Sequence, residues 1–309
     1  TAYEIGVRLV GSEMCIRDRL NVTDVLYHSW WAVFAVFLAH VPLGMLPHIG
    51  NKLWALKEPT QRMQFIRLAF VFALILAMLG FGGIMARVIL GEGIDSNQAL
   101  ALLFIDLFPS WFAALLGVGI LAAVMSTADG LVVSSSQIVA NDLYRLSFVP
   151  RYRKDLSEEE IERRSLNISR ISTVVIMILC TLLAWQTLDM NVTILVWIGV
   201  GCMMAAFAGP LILGSVWSGV TKAGAFAGLL TGGGVYIITY LGVINPDWFG
   251  PGSLKDIALW LQRESPNPYS CAAMGEIASI AVTVVVSKLT APYPKEHIDA
   301  LFGKSVPTD

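Results

Sequence analysis

Apolar residues along this 309-residue chain gather into runs, and polar residues collect in the gaps between them. Seven runs come near the ~20 residues that a helix needs to cross a bilayer. They cover residues 27–47, 67–90, 109–140, 169–187, 193–217, 223–244 and 271–288. The third exceeds that length and is expected to tilt or to project beyond the lipid. The pattern predicts an all-α integral membrane fold of about seven transmembrane helices.

The gaps carry their own signals. Residues 155–164, DLSEEEIERR, read as a short amphipathic connecting helix, with Ser157 and Glu160 at capping-box spacing. Residues 245–270 hold Pro246, Pro251, Pro266 and Pro268 and read as an irregular loop, with Trp248 and Trp260 placed for a membrane interface. Gly224, Gly228 and Gly232 recur every four residues, which lets a neighbouring backbone approach closely. Gly80 and Gly83 are expected to act in the same way.

Composition agrees with burial in lipid. The chain is 56% hydrophobic and 14% charged, with a mean hydropathy of +0.67, against about 25% charged residues in soluble domains. The net charge of −2 hides an asymmetry. Alternate gaps hold fifteen Lys and Arg, seven of them in 141–170 alone, whereas the other gaps hold only Arg87, Lys255 and Arg263. By the positive-inside rule the rich side is cytoplasmic, and so is the C-terminus. The expected location is the plasma membrane, spanned several times.

Residues 1–19, TAYEIGVRLVGSEMCIRDR, show neither period nor apolar core and resemble translated adapter or vector sequence. They read as a non-native leader, and residues 20–309 as the membrane part. Four scattered cysteines give neither a metal site nor a disulfide framework. No catalytic motif and no basic, aromatic-interleaved nucleic-acid surface stands out. No enzyme activity and no cofactor are expected.

The chemistry concentrates in the third run. Ala123, Ser126 and Thr127 are spaced i, i+3, i+4 and share one helix face, which Gly130, Ser134, Gln137 and Asn141 extend. Two hydroxyls and a carbonyl form an all-oxygen patch suited to a small hard cation. Spacing alone equally allows both hydroxyls to bond back to the preceding turn. Asp129 lies mid-run, where a carboxylate is costly without a partner. It points 60–70° away from the Ser126 face, at about 100° of rotation per residue, so it reads as tuning the patch or pairing with a polar neighbour rather than ligating.

Within 121–145, AAVMSTADG followed by DLYR resembles the signature helix of the sodium:solute symporter family. MLPHIGNKLW (45–54) resembles the family's Pro-His motif, which ends its sixth core helix. FAGPLILGSVWSGVTKAGAFAGLLTGG (207–233) resembles the tenth core helix and the span after it. The resemblance covers residues 27–244 and leans towards the proline/pantothenate-like branch. It implies a LeuT-like fold of two inverted repeats with sites near the midplane. On that reading the chain holds core helices six to ten, the second repeat, plus two further spans, and is a C-terminal part of a transporter.

The resemblance assigns roles residue by residue. Ala123 would offer a carbonyl to sodium, and Ser126 and Thr127 their hydroxyls, completed by carbonyls of a broken first helix. Ala39, Leu43 and Pro47 map onto substrate-facing positions. Proline-transporting relatives carry Trp and Tyr where this chain has Ala39 and Leu43, so the pocket is expected to be roomier and apolar. Pro42 and Pro47 should kink that helix and free carbonyls. His40 and His48 nearby read as structural. The implied activity is sodium-coupled symport of a small organic solute by alternating access, with sodium as coupling ion and the bilayer as partner.

Two other classes compete. A seven-helix receptor or retinal protein fits the span count, but Lys288 sits at a membrane margin rather than deep in the last run. A membrane hydrolase using Ser126 or Ser134 lacks a base in the same runs. The orientation has a direct check. A single cysteine at Ser157 should resist impermeant thiol reagents applied to intact cells, and ready labelling from outside would reverse the topology.

Overall fold

The computed structural model describes residues 24–46, 48–50, 56, 58–91, 93–153, 155–188, 190–294, 296, 298 and 299. Residues 1–19 and Pro47 lie outside them. Among the described residues the secondary structure is helical, and six helices are long and apolar enough to cross a membrane. The chain divides into two compact units, residues 47–192 and residues 1–46 with 193–309.

After α1 (Trp30–Ala39) of the other unit, α2 (Pro59–Ala77) and α3 (Leu79–Leu90) of the first unit run almost end to end. The helix starts earlier than the hydrophobic pattern predicts, because Pro59 is well suited to a first turn. Arg62 and Arg67 therefore ride on the helix rather than in a linker. The short α4 (Ala99–Leu107) leads into α5 (Ser110–Gln137). Helical winding continues past residue 140 through wider, π-type turns at Ile138–Phe148 and ends at Tyr152.

The next helix, α6 (Glu158–Gln186), is capped by Ser157, whose hydroxyl accepts from the Glu160 N–H at 3.3 Å. The expected separate connector at 155–164 is instead the first turns of this one helix. No Gly or Pro interrupts residues 158–186, and the Glu160–Arg164 pair at 2.6 Å supports the junction. At the opposite end Asn97 accepts from the Val192 N–H at 3.2 Å, and Asn191 donates to Ser96 at 2.9 Å, tying two loops together.

In the second unit, α1 (Trp30–Ala39) stops where the sequence places a kink, and a 3-10 turn, Val41–Met45, follows. This run is a shorter apolar helix than the other six. The cause is Pro42, which cannot donate in the ladder. His40 Nδ1 contacts the Val36 carbonyl oxygen at 2.5 Å and caps that break, the structural role expected of it.

Then come α7 (Val192–Phe207), a π-type segment Ala208–Leu213, α8 (Lys222–Tyr240), α9 (Ser253–Glu264) and α10 (Pro268–Leu289). The irregular loop expected at 245–270 contains α9. No Pro or Gly falls within 253–264, and Ala258 and Glu264 turn inward while Leu254 and Ile257 stay exposed. Trp260 packs edge-on to Trp31, ring centroids 5.6 Å apart, and Trp248 is exposed.

The core of this unit is the α8–α10 contact. Gly224, Gly228 and Gly232 are buried. A Cβ at Gly224 would strike Ser287, one at Gly228 would strike Thr283, and one at Gly232 would strike the Ala205 carbonyl. On α10, Ser279, Thr283 and Ser287 repeat at the same spacing of four and are buried, so the two stripes of small residues fit together. Gly80 and Gly83 do not act this way, since a Cβ there meets nothing within 4 Å. Gly82 is the close approach, since a Cβ there would stand 2.9 Å from the Leu100 side chain.

Ser279 also mends a break. Pro210 cannot donate to the Ala206 carbonyl four residues back. The Ser279 hydroxyl donates to that carbonyl at 3.3 Å and accepts from the Gly209 N–H at 3.0 Å. Gly228→Leu should therefore destabilise the protein by about 1–3 kcal/mol through overpacking. Gly83→Ala should leave stability unchanged or raise it slightly, since it removes glycine's backbone freedom without a clash. Denaturation of both purified variants, followed by helical circular dichroism, checks the contrast.

Candidate functional site

The expected ion-binding residues lie on α5 and the expected substrate-facing residues at the end of α1. α5 and α1 belong to different units.

On α5, Ala123, Ser126 and Thr127 are all exposed within their unit. Gly117 and Gly119 precede them without breaking the helix, and Pro109 sets its start. The Thr127 hydroxyl donates to the Ala123 carbonyl at 3.2 Å. This is the back-bond that spacing allows, and it gathers two of the three expected oxygens. A hydroxyl that spends its hydrogen on a carbonyl keeps its lone pairs free, so the geometry leaves Thr127 able to meet a cation.

Further along, the stripe changes character. Gly130 is partly covered, with His48 3.8 Å from where its Cβ would stand. Ser134 is buried, and Ser136 donates to the Val133 carbonyl at 2.9 Å while accepting from Ser169 on α6 at 3.4 Å. Along the stripe Ala123, Ser126 and Thr127 are thus open, Ser134 is buried beside the Ser136 contact to α6, and Gln137 and Asn141 are exposed again. Asp129, off that face, is exposed as well. Arg145 reaches Glu158 at 3.5 Å, with both side chains well exposed, a pair worth little in stability.

At the end of α1, Ala39 is fully buried and Leu43 is 36% exposed, so the two expected substrate residues have unlike surroundings. The His40 ring lies 4.5 Å from that of Trp197 and 6.0 Å from that of Tyr269. His40, next to Ala39 in the chain, thus belongs to an aromatic cluster with Trp197 and Tyr269.

Two polar groups were not singled out by the sequence pattern. His28 Nε2 and Glu264 Oε1 lie 2.8 Å apart, and the Glu264 side chain is 1% exposed. Beside them Trp31 Nε1 donates to Ser270 at 2.6 Å. Nothing local in the sequence joins positions 236 residues apart. Glu276 is 2% exposed on α10, and its Oε1 has no hydrogen-bond partner. Its signal was available, as the single acidic residue of a 22-residue apolar helix. Among the described residues no group of three or more His, Cys, Asp or Glu is placed to hold a metal ion.

Comparison with known proteins follows the same stretches. The profile of the sodium:solute symporter family matches residues 21–232. The sodium/pantothenate symporter of Haemophilus influenzae is 27% identical over 224 residues, 71% of this chain and 44% of that protein. The sodium/proline symporter of Staphylococcus aureus is 30% identical over 173 residues, 55% of this chain and 30% of that protein. The chain spans less than half the length of these curated relatives. No solved structure matches it.

Proposed function

Because the chain belongs to the sodium:solute symporter family, we propose that it is part of a transporter that couples inward sodium flux to uptake of a small organic solute. The observation that carries this reading is the family match across the stretch holding Ala123, Ser126 and Thr127. The open oxygen face of α5 supports it.

In this reading the Ala123 carbonyl and the Ser126 and Thr127 hydroxyls are one side of a sodium site. The other side is supplied by carbonyls of a broken first helix, as the family resemblance implies. The fold is LeuT-like, with this chain contributing the second inverted repeat, and transport proceeds by alternating access. Sodium suits the site because all three donors are oxygens. The bound ion would hold α5 against the broken helix, so that ion and solute stabilise the same conformation. The coupling is then reciprocal.

The substrate would meet the end of α1 at Ala39, Leu43 and Pro47. Small solutes of the kind that the relatives are named for, pantothenate or proline, mark the size range. With Ala39 and Leu43 in place of larger aromatics, the pocket favours a bulkier and more apolar solute than proline. The membrane is entered with residues 141–170 and the C-terminus on the cytoplasmic side.

In the whole transporter, Ser126→Ala and Thr127→Ala should each raise the sodium concentration for half-maximal uptake. Losing one oxygen from a small shell is expected to cost ~1–3 kcal/mol, by analogy with an unmade buried polar contact. That corresponds to roughly tenfold to a hundredfold in apparent affinity. Alanine keeps the helix. Ser135→Ala, off the stripe, should change little. Solute affinity should weaken only at low sodium. Wild-type sodium dependence in both alanine variants would reduce the stripe to a packing face.

A further inference from the structure

We propose that Glu276 is a proton-binding site inside the membrane, its carboxyl carried as the neutral acid in the folded chain. The inference is separate from the sodium reading, since Glu276 lies in the other unit from Ala123, Ser126 and Thr127.

Three observations carry it. The first is position. Glu276 lies eight residues in from Pro268 and twelve short of Lys288 on the apolar helix α10, which at 1.5 Å per residue is about 12 and 18 Å along the axis. The second is burial. The residue is 2% exposed, its neighbours Ala272 and Ala273 are fully buried, and a Cβ at Gly275 would meet Ala205 and the Gly232 carbonyl. The third is that Oε1 has no hydrogen-bond partner. A buried carboxylate needs a cation or several donors, and one within lipid depth needs them more.

Among the described residues, the elements packed on α10 offer no cation at that level. On α8 the sole cation is Lys222, next to Thr221, whose N–H donates to Ser287. That places Lys222 at the far end of α10, beside Lys288. Neither α1, α7 nor the segment Ala208–Leu213 contains a Lys or Arg. Their titratable groups, and those nearby, are otherwise engaged or uncharged. His40 contacts the Val36 carbonyl and Tyr236 donates to the Trp197 carbonyl. Tyr240 stacks on Tyr236, Tyr269 on His40, and Cys202 and Cys271 are free thiols. At the Pro268 end, His28 is held by Glu264, and Arg263 is exposed. A metal cation in place of the proton would need about six oxygen ligands, whereas among the described residues no group of three or more His, Cys, Asp or Glu is placed to hold one and Oε1 of Glu276 has no hydrogen-bond partner. A proton needs one oxygen.

The test uses the full chain, purified into phosphatidylcholine nanodiscs, and infrared spectroscopy at neutral pH. The wild type should show the C=O stretch of a protonated carboxylic acid, shifted in D2O and unchanged when sodium chloride replaces choline chloride. Glu276→Gln, which keeps the shape without the acid, should abolish that band while retaining wild-type helicity and elution. Should it not fold, Glu276→Ala, matched to the adjacent alanines, makes the same assignment. A folded wild type without an acid band overturns the proposal, because the group is then ionised. So does an acid band that survives both variants, or one that disappears on adding sodium, which would mark a metal-cation site.

Discussion

A backbone in lipid has no water to bond to, so each peptide group freed by a proline or by a helix end must find a partner in the protein. Much of the local structure answers that demand. Pro42 ends α1, and His40 reaches back to the Val36 carbonyl. Pro210 opens the ladder after α7, and Ser279 of another helix supplies both the missing donor and an acceptor. Where the ladder is intact, threonines still turn inward on it, as Thr181 does towards Met177 and Thr239 towards Val235. The Thr127–Ala123 bond of the candidate ion face is one more case of this habit.

Close approach of helices follows from the same constraint. For Ser279 to reach the break at Pro210, α10 must lie against the end of α7, and α8 must leave room. Gly224, Gly228 and Gly232 provide that room, each occupying a point where a side-chain carbon would collide. The polar side chains of α10 are then buried by backbone rather than by bulky apolar groups. Ser279 and Ser287 gain partners there, while the hydroxyl of Thr283 and Oε1 of Glu276 have none.

Ionic interactions contribute in a different place. Exposed pairs such as Arg145–Glu158 and Lys255–Asp247 link successive helical elements and are weakly stabilising. His28 and Glu264 are instead nearly covered, where loss of one partner would leave a buried polar group. That contact, with Trp31–Ser270 and Trp31–Trp260, fixes the start of α1 to α9 and α10.

Much of this was legible in the chain. Long apolar runs bounded by charge required membrane helices, because no other element hides its backbone so locally. The Ser157 cap, the glycine repeat and the kink after Ala39 were readable for the same reason: each depends on residues within a turn or two. The oxygen stripe of α5 was visible as spacing, and motif resemblance named the family that the profile match then showed. What the sequence left open depended on partners distant in the chain. Local pattern could not tell Gly82 from Gly80 and Gly83, since only the fold places Leu100 beside one of them. It read 245–270 as loop because four prolines masked the unbroken stretch that forms α9. It could not pair His28 with Glu264, show Ser279 bridging the Pro210 break, or show that Oε1 of Glu276 is buried without a partner, because burial and partnership are properties of packed helices rather than of any one helix.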